Sequence, residues 1–180
     1  IAYGENLTLS QKDIKQRGHS IECRIYAEDP SRNFLPTPGI VHKMILPEGP
    51  GVRNDVGISE GQEVTSAYDP LLAKLVVWDS DRNSAIDRMD NALANFVILG
   101  LITNQPFLRD IMQNKYFQKC SFSTKFVDEH YANWTHPVIP VELMVAALLG
   151  TKSSSSALVQ KSTRDPHSPW SSKGGWRQGN

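Results

Sequence analysis

The chain has 180 residues, 39% of them hydrophobic, and 19 Lys plus Arg balance 19 Asp plus Glu. That is enough apolar material for one core of ordinary size plus a tail, and the balanced charge excludes the long-range field that would draw the chain to nucleic acid or to an anionic bilayer. No apolar run approaches the ~20 residues that a membrane span needs, and Cys23 and Cys120, far apart and without a disulfide spacing, suit a reducing compartment.

In chain order, the first half is punctuated like a sheet. Ile21, Cys23, Ile25 and Ala27 alternate with Glu22, Arg24, Tyr26 and Glu28, the period of a strand with one face in a core. Pro36, Pro38 and Gly39 turn the chain into a second strand, "IVHKMIL", and "PEGPG" turns it again. "VRNDVGI", "QEVTSAY" and "LLAKLVVW" continue the pattern, which predicts an antiparallel sheet instead of alternating βαβ units. The period then changes. After Asp79, Ser80 and Asp81, which can cap a helix, Ile86, Met89, Leu93 and Phe96 form an apolar stripe that Gly100 stops. Asn104 with Pro106 signals a second helix carrying Phe107 and Ile111, and a third is expected over 124–131. "PVELMVAALL" at 140–149 predicts a fourth, with Gly150 as its stop. From 151 the composition turns polar and small, as in a poorly ordered linker, except for Trp170 and Trp176, which mark the start of a further domain. The fold class is therefore α+β, an antiparallel sheet plus packed helices. The domain boundaries are expected at 1–132 and 133–180.

Chemistry concentrates in two stretches. In "ECRIYAED", Arg24 carries a guanidinium that burial cannot neutralise, so it must be paired or presented to an anion. Glu22 lies two residues away on the same strand face, with Glu28 further along the row. On residue type alone, a structural ion pair is the plainer account of these groups. In "AYDPLLAKLVVW", Asp69-Pro70 reads as turn initiation and Tyr68 as packing, although an Asp at a strand entrance can also steady a guanidinium on a neighbouring strand. His19 and Cys23 share a strand face but lack a second ligand pair, so no metal site is expected. Cys120 is expected to be inert, and no glycine run has the spacing of a phosphate loop.

"GHSIECRIYAEDPSRNFLPTPG", "GVRNDVGISEGQEVTSAYDPLLAKLVVW" and "AIDRMDNALANFVILGLITN", in that order and nearly ungapped, resemble the C-terminal portion of biotin carboxylase, the ATP-grasp component of biotin-dependent acyl-CoA carboxylases. The likeness runs from residue 1 to about 131. Beyond it, the chain resembles the junction that leads, in the long alpha subunits of acetyl-, propionyl- or methylcrotonyl-CoA carboxylases, to a connecting domain and the biotin carrier.

The resemblance implies a ligase that activates bicarbonate with Mg-ATP and carboxylates N1 of biotin. It implies that Arg24, in the "ECRI" motif, meets bicarbonate and the biotin ureido oxygen, that Glu22 and Glu28 orient it, that Tyr68 and Asp69 lie near the same substrate pocket, and that Arg53 contributes to a subunit interface. Such an Arg24 must face a concavity that other polypeptide completes. The implied cofactors are biotin, on a carrier domain absent from this chain, and ATP with Mg, whose ligands lie upstream of Ile1. Also implied are a homodimer, a partner carboxyltransferase and a location in the cytosol or the mitochondrial matrix. Ile1 is not Met and the family's "NxRxQVEH" and "MKM" segments are missing, so a fragment inactive alone is expected. The alternative is a stand-alone, non-catalytic module that offers a dimer or partner surface. The acyl-CoA is left open.

Overall fold

The computed structural model describes residues 1–153. The chain divides into a unit spanning Ile1–Pro137 and a second that begins at Val138.

The first unit is organised around a three-stranded antiparallel sheet. Strand β1 (His19–Tyr26) is followed by four short strands, β2 (Glu28–Asp29), β3 (Leu35–Pro36), β4 (Gly39–Ile40) and β5 (Lys43–Ile45). Then come β6 (Val52–Val56), β7 (Glu63–Val64) and the long β8 (Leu71–Asp79). β8 is central, with β1 on one side and β6 on the other. The β1–β8 register runs from His19↔Asp79 to Ile25↔Ala73 and then slips, so that Tyr26 faces Leu71. Leu72 is the extra residue, and it turns inward beside Ala73, which breaks the alternation of β8.

One face of this sheet is core. Helix α1 (Arg82–Asn95) lays Ala85, Ile86, Met89, Ala92 and Leu93 against Ile21, Cys23, Ile25, Leu75 and Val77. Each fully buried large apolar side chain here contributes roughly 1.5–3 kcal/mol. Of the three residues expected to start the helix, Asp81 caps it, accepting from the Ser84 N–H at 3.0 Å. The expected stripe extends to Phe96, but the helix ends at Asn95, and β9 (Val97–Leu99) pairs with β5 where the sequence suggested continuing helix. Gln105 holds that end, its side chain donating to the carbonyls of Leu93 and Phe96.

Helices α2 (Gln105–Gln113), α3 (Lys115–Gln118) and α4 (Phe126–Tyr131) complete the first unit. The expected strand "IVHKMIL" divides into β4 and β5, and "QEVTSAY" contracts to β7, which pairs with β4. The second unit contains α5 (Val141–Ser153), exposed at Val141, Leu143, Met144, Val145 and Leu149. α5 runs through its expected stop at Gly150; a glycine costs a helix only about 1 kcal/mol. The rest of the expected linker, with Trp170 and Trp176, lies outside the described residues. Among the described residues, no helix is long and apolar enough to cross a membrane.

Candidate functional site

The second face of the sheet is open to solvent and heavily charged. Because strand side chains alternate, the even-numbered residues of β1 and Lys74, Val76 and Trp78 of β8 emerge here, joined by Arg53 and Asp55 of β6. Two cross-strand rows result, Arg24–Lys74–Asp55 and Glu22–Val76–Arg53. Asp55 serves two cations. It accepts from Arg53 through both oxygens, at 2.9 and 3.1 Å, and pairs with Lys74 at 3.3 Å. These bonds, Arg53 first and then Lys74, hold the Asp55 carboxyl below the usual carboxylate range.

Among the described residues, Arg24 is held by a carboxylate at one nitrogen only. Glu22 engages its Nε alone, at 3.2 Å, and the Arg24 side chain is 61% exposed. Hydrogen bonds to Glu22 and then to Tyr26 raise its pKa further. The forked edge of terminal nitrogens, the part of a guanidinium that matches a planar anion, is not taken by a carboxylate among the described residues. An exposed pair of this kind adds little to stability.

The structure brings together fewer of the expected residues than the sequence suggested. Glu22 does flank Arg24. Glu28 does not, because the row is cut at Ala27, whose N–H donates to the Pro70 carbonyl and whose carbonyl accepts from the Thr37 N–H. Glu28 then enters the β2–β3 ribbon, where partial burial, and after it the charge of Asp69, raise its pKa. Asp69 is therefore beside Glu28 and not among the partners of Arg24. Its carboxylate accepts from the Leu71 N–H at 2.8 Å, the turn initiation that its residue type favours. Tyr68 is 84% exposed and shares a small groove with Asp69, Glu63 and Gly57. Arg24 does not line that groove, nor the one between the 47–50 turn and α1, nor the one beside Trp134.

The remaining candidates resolve simply. His19 Nε2 meets Arg82 at 3.1 Å, while Cys23 is buried and its thiol is pushed up to about 12, chiefly by desolvation. Among the described residues, no group of three or more His, Cys, Asp or Glu could hold a metal ion. Two residues near Arg24 escape the sequence reading: Tyr26, two residues along the same strand face, and Asn104, whose side chain bonds the backbone of β1.

Residues 22–129, a stretch that contains the whole charged face, match the family model of the biotin carboxylase C-terminal domain. The chain belongs to this family. It is 45% identical over 130 residues to the biotin carboxylase of Halalkalibacterium halodurans, a match that covers 72% of the chain and 28% of that relative. It is 40% identical over 184 aligned positions to the alpha subunit of mitochondrial methylcrotonoyl-CoA carboxylase from Rattus norvegicus, covering 98% of the chain and 26% of the relative. Among solved structures it resembles the 2-oxoglutarate carboxylase biotin carboxylase domain dimer of Hydrogenobacter thermophilus in complex with MgADP, ADP and bicarbonate. That match has a TM-score of 0.72 and 42% identity and covers 77% of this chain and 30% of the other. The chain spans little more than a quarter of the length of these curated relatives. The family's α+β architecture, antiparallel sheets with packed helices in the C-terminal part of an ATP-grasp enzyme, is the one seen here.

Proposed function

We propose that this chain is the C-terminal part of the biotin carboxylase component of an acyl-CoA carboxylase alpha subunit, a ligase that carboxylates biotin from bicarbonate with cleavage of ATP. Arg24 meets the bicarbonate anion and then the oxygen that gains charge as the biotin ureido nitrogen loses its proton. A donor already in place where charge develops lowers the barrier without reorganisation. Glu22 restrains the guanidinium through Nε and leaves the terminal nitrogens to the substrate. The reading rests on that placement: an arginine leashed on one side, on an open face, inside the segment that matches the family.

The rest of the pocket comes from residues outside this chain. They also supply the ligands of ATP and Mg in this reading. Arg53, 74% exposed in its side chain, faces a second copy in a homodimer. The biotin carrier domain and a carboxyltransferase subunit are the further partners, in the cytosol or the mitochondrial matrix.

Coverage of the chain by its relatives supports one acyl group. The methylcrotonoyl-CoA carboxylase alpha subunits of rat and Dictyostelium discoideum each align over 98% of the chain. The Halalkalibacterium biotin carboxylase aligns over 72%. The segment beyond the family match supports methylcrotonoyl-CoA as the final acceptor. The test is ATP turnover by the full-length subunit with bicarbonate and free biotin, followed by carboxylation of 3-methylcrotonyl-CoA against propionyl-CoA once its carboxyltransferase is added. Turnover indifferent to bicarbonate and biotin refutes the ligase assignment, and a preference for propionyl-CoA refutes the acyl assignment.

A further inference from the structure

Strand β1 lies at the edge of its sheet, so the outward N–H and C=O groups of alternate residues have no ladder partner. At two of them a partner arrives from far along the chain. Asn104 Oδ1 accepts from the Tyr26 N–H at 3.0 Å, and Asn104 Nδ2 donates to the Arg24 carbonyl at 3.1 Å. The Asn104 N–H adds a third bond, to the Tyr26 carbonyl at 3.2 Å. Only one orientation of the amide satisfies the first two groups, because an N–H requires the oxygen and a carbonyl requires the nitrogen.

The setting argues against an ordinary cap. Asn104 occupies the N-cap position of α2, yet its side chain makes no bond to that helix. It is 6% exposed, so both polar atoms depend on β1 for their partners. The two backbone groups that it clasps bracket Ile25, at the place where the β1–β8 register slips. Bulges re-aim the side chains beside them, and the open-face side chains here are those of Arg24 and Tyr26.

We infer that Asn104 is a positioning residue for Arg24: its double hydrogen bond fixes the β1 backbone beside the register slip and thereby the direction from which the guanidinium meets an anion. This deepens the proposed function and rests on it. Asn104 acts through the strand and touches no substrate.

The experiment uses the full-length subunit with Asn104→Asp, Asn104→Ala and, in parallel, Arg24→Ala. Asp keeps the shape and the acceptor for Tyr26 but turns an oxygen toward the Arg24 carbonyl, whereas Ala removes both bonds. Apparent KM values for bicarbonate and ATP and kcat are measured, together with amide hydrogen exchange at Tyr26. Turnover per KM for bicarbonate should fall roughly 10-fold to 100-fold, with the KM for ATP unchanged and Tyr26 exchange accelerated. Wild-type bicarbonate kinetics in a folded variant overturn the inference. So does an activity loss that only tracks the folded fraction, with both KM values unmoved, and so does failure of both variants to fold, which makes Asn104 a residue of fold maintenance. Wild-type kinetics in Arg24→Ala refute the site itself. A defective Arg24→Ala beside intact Asn104 variants refutes only the positioning role.

Discussion

Replacing Asp29 by Asn tests how the turn after β1 is held. Asp29 is 4% exposed and has four hydrogen bonds. Oδ1 accepts from the Ser31 N–H at 3.0 Å, from Ser31 Oγ at 2.6 Å and from His136 Nε2 at 2.9 Å, and Oδ2 accepts from Arg32 Nε at 2.7 Å. Asn retains Oδ1 but sets an amide NH2 against Arg32, and the remaining bonds lose their charge assistance. Arg32, 57% exposed, recovers much of its loss from water. The expected cost is about 2 kcal/mol, a fall of about 1 M in the urea midpoint. The pH dependence has a definite sign. Ser31 above all, with Arg32 and His136 assisting, holds the Asp29 carboxyl well below the usual range against the opposing effect of burial. A depressed folded pKa contributes stability that is fully present above the unfolded value, about 3.9, and is lost as pH falls through the folded value. The gap between wild type and variant should therefore be constant from pH 7 to about pH 5 and narrow below about pH 4. Equal stability at pH 7, or a gap that persists unchanged in acid, refutes the clamp.

Other consequences are quicker to check. Gly100 has φ +114°, and a Cβ there would run into the Ile40 carbonyl and lie 2.9 Å from the His42 ring; Gly100→Ala should cost roughly 1–3 kcal/mol, read as a lowered thermal midpoint, and an unchanged midpoint contradicts the steric account. A thiol reagent at pH 8 should label exposed Cys120 and spare buried Cys23, whose thiol stays protonated until the chain unfolds. Labelling of both at equal rates would show the β1 core to be open.

The parts of the fold legible in the sequence are those where one period persists. Ile21, Cys23 and Ile25 place one face of β1 in the core, and Ile86, Met89 and Leu93 place α1 against it. Phe96 misleads because it satisfies the helical spacing while sitting one residue past the helix end, and its burial follows from β9 pairing back to β5, a contact between distant segments that no local pattern announces. Of the site, Arg24 and Glu22 are legible because a charge in a strand interior calls for a partner two residues away. Glu28 shares their parity, but parity carries no information once the strand has ended. Asn104 reads as a helix start, correctly in position, yet its side chain answers to β1, and sequence spacing does not express that contact.

The central claim is that the Arg24 guanidinium meets the anion, and Arg24→Lys in the full-length subunit tests it most directly. Lys keeps the charge but lacks the planar fork. Biotin carboxylation with saturating ATP should fall by roughly 100-fold or more, with the KM for ATP unchanged. Near-normal carboxylation in that variant would contradict the account and return Arg24 and Glu22 to the role of an ordinary surface ion pair.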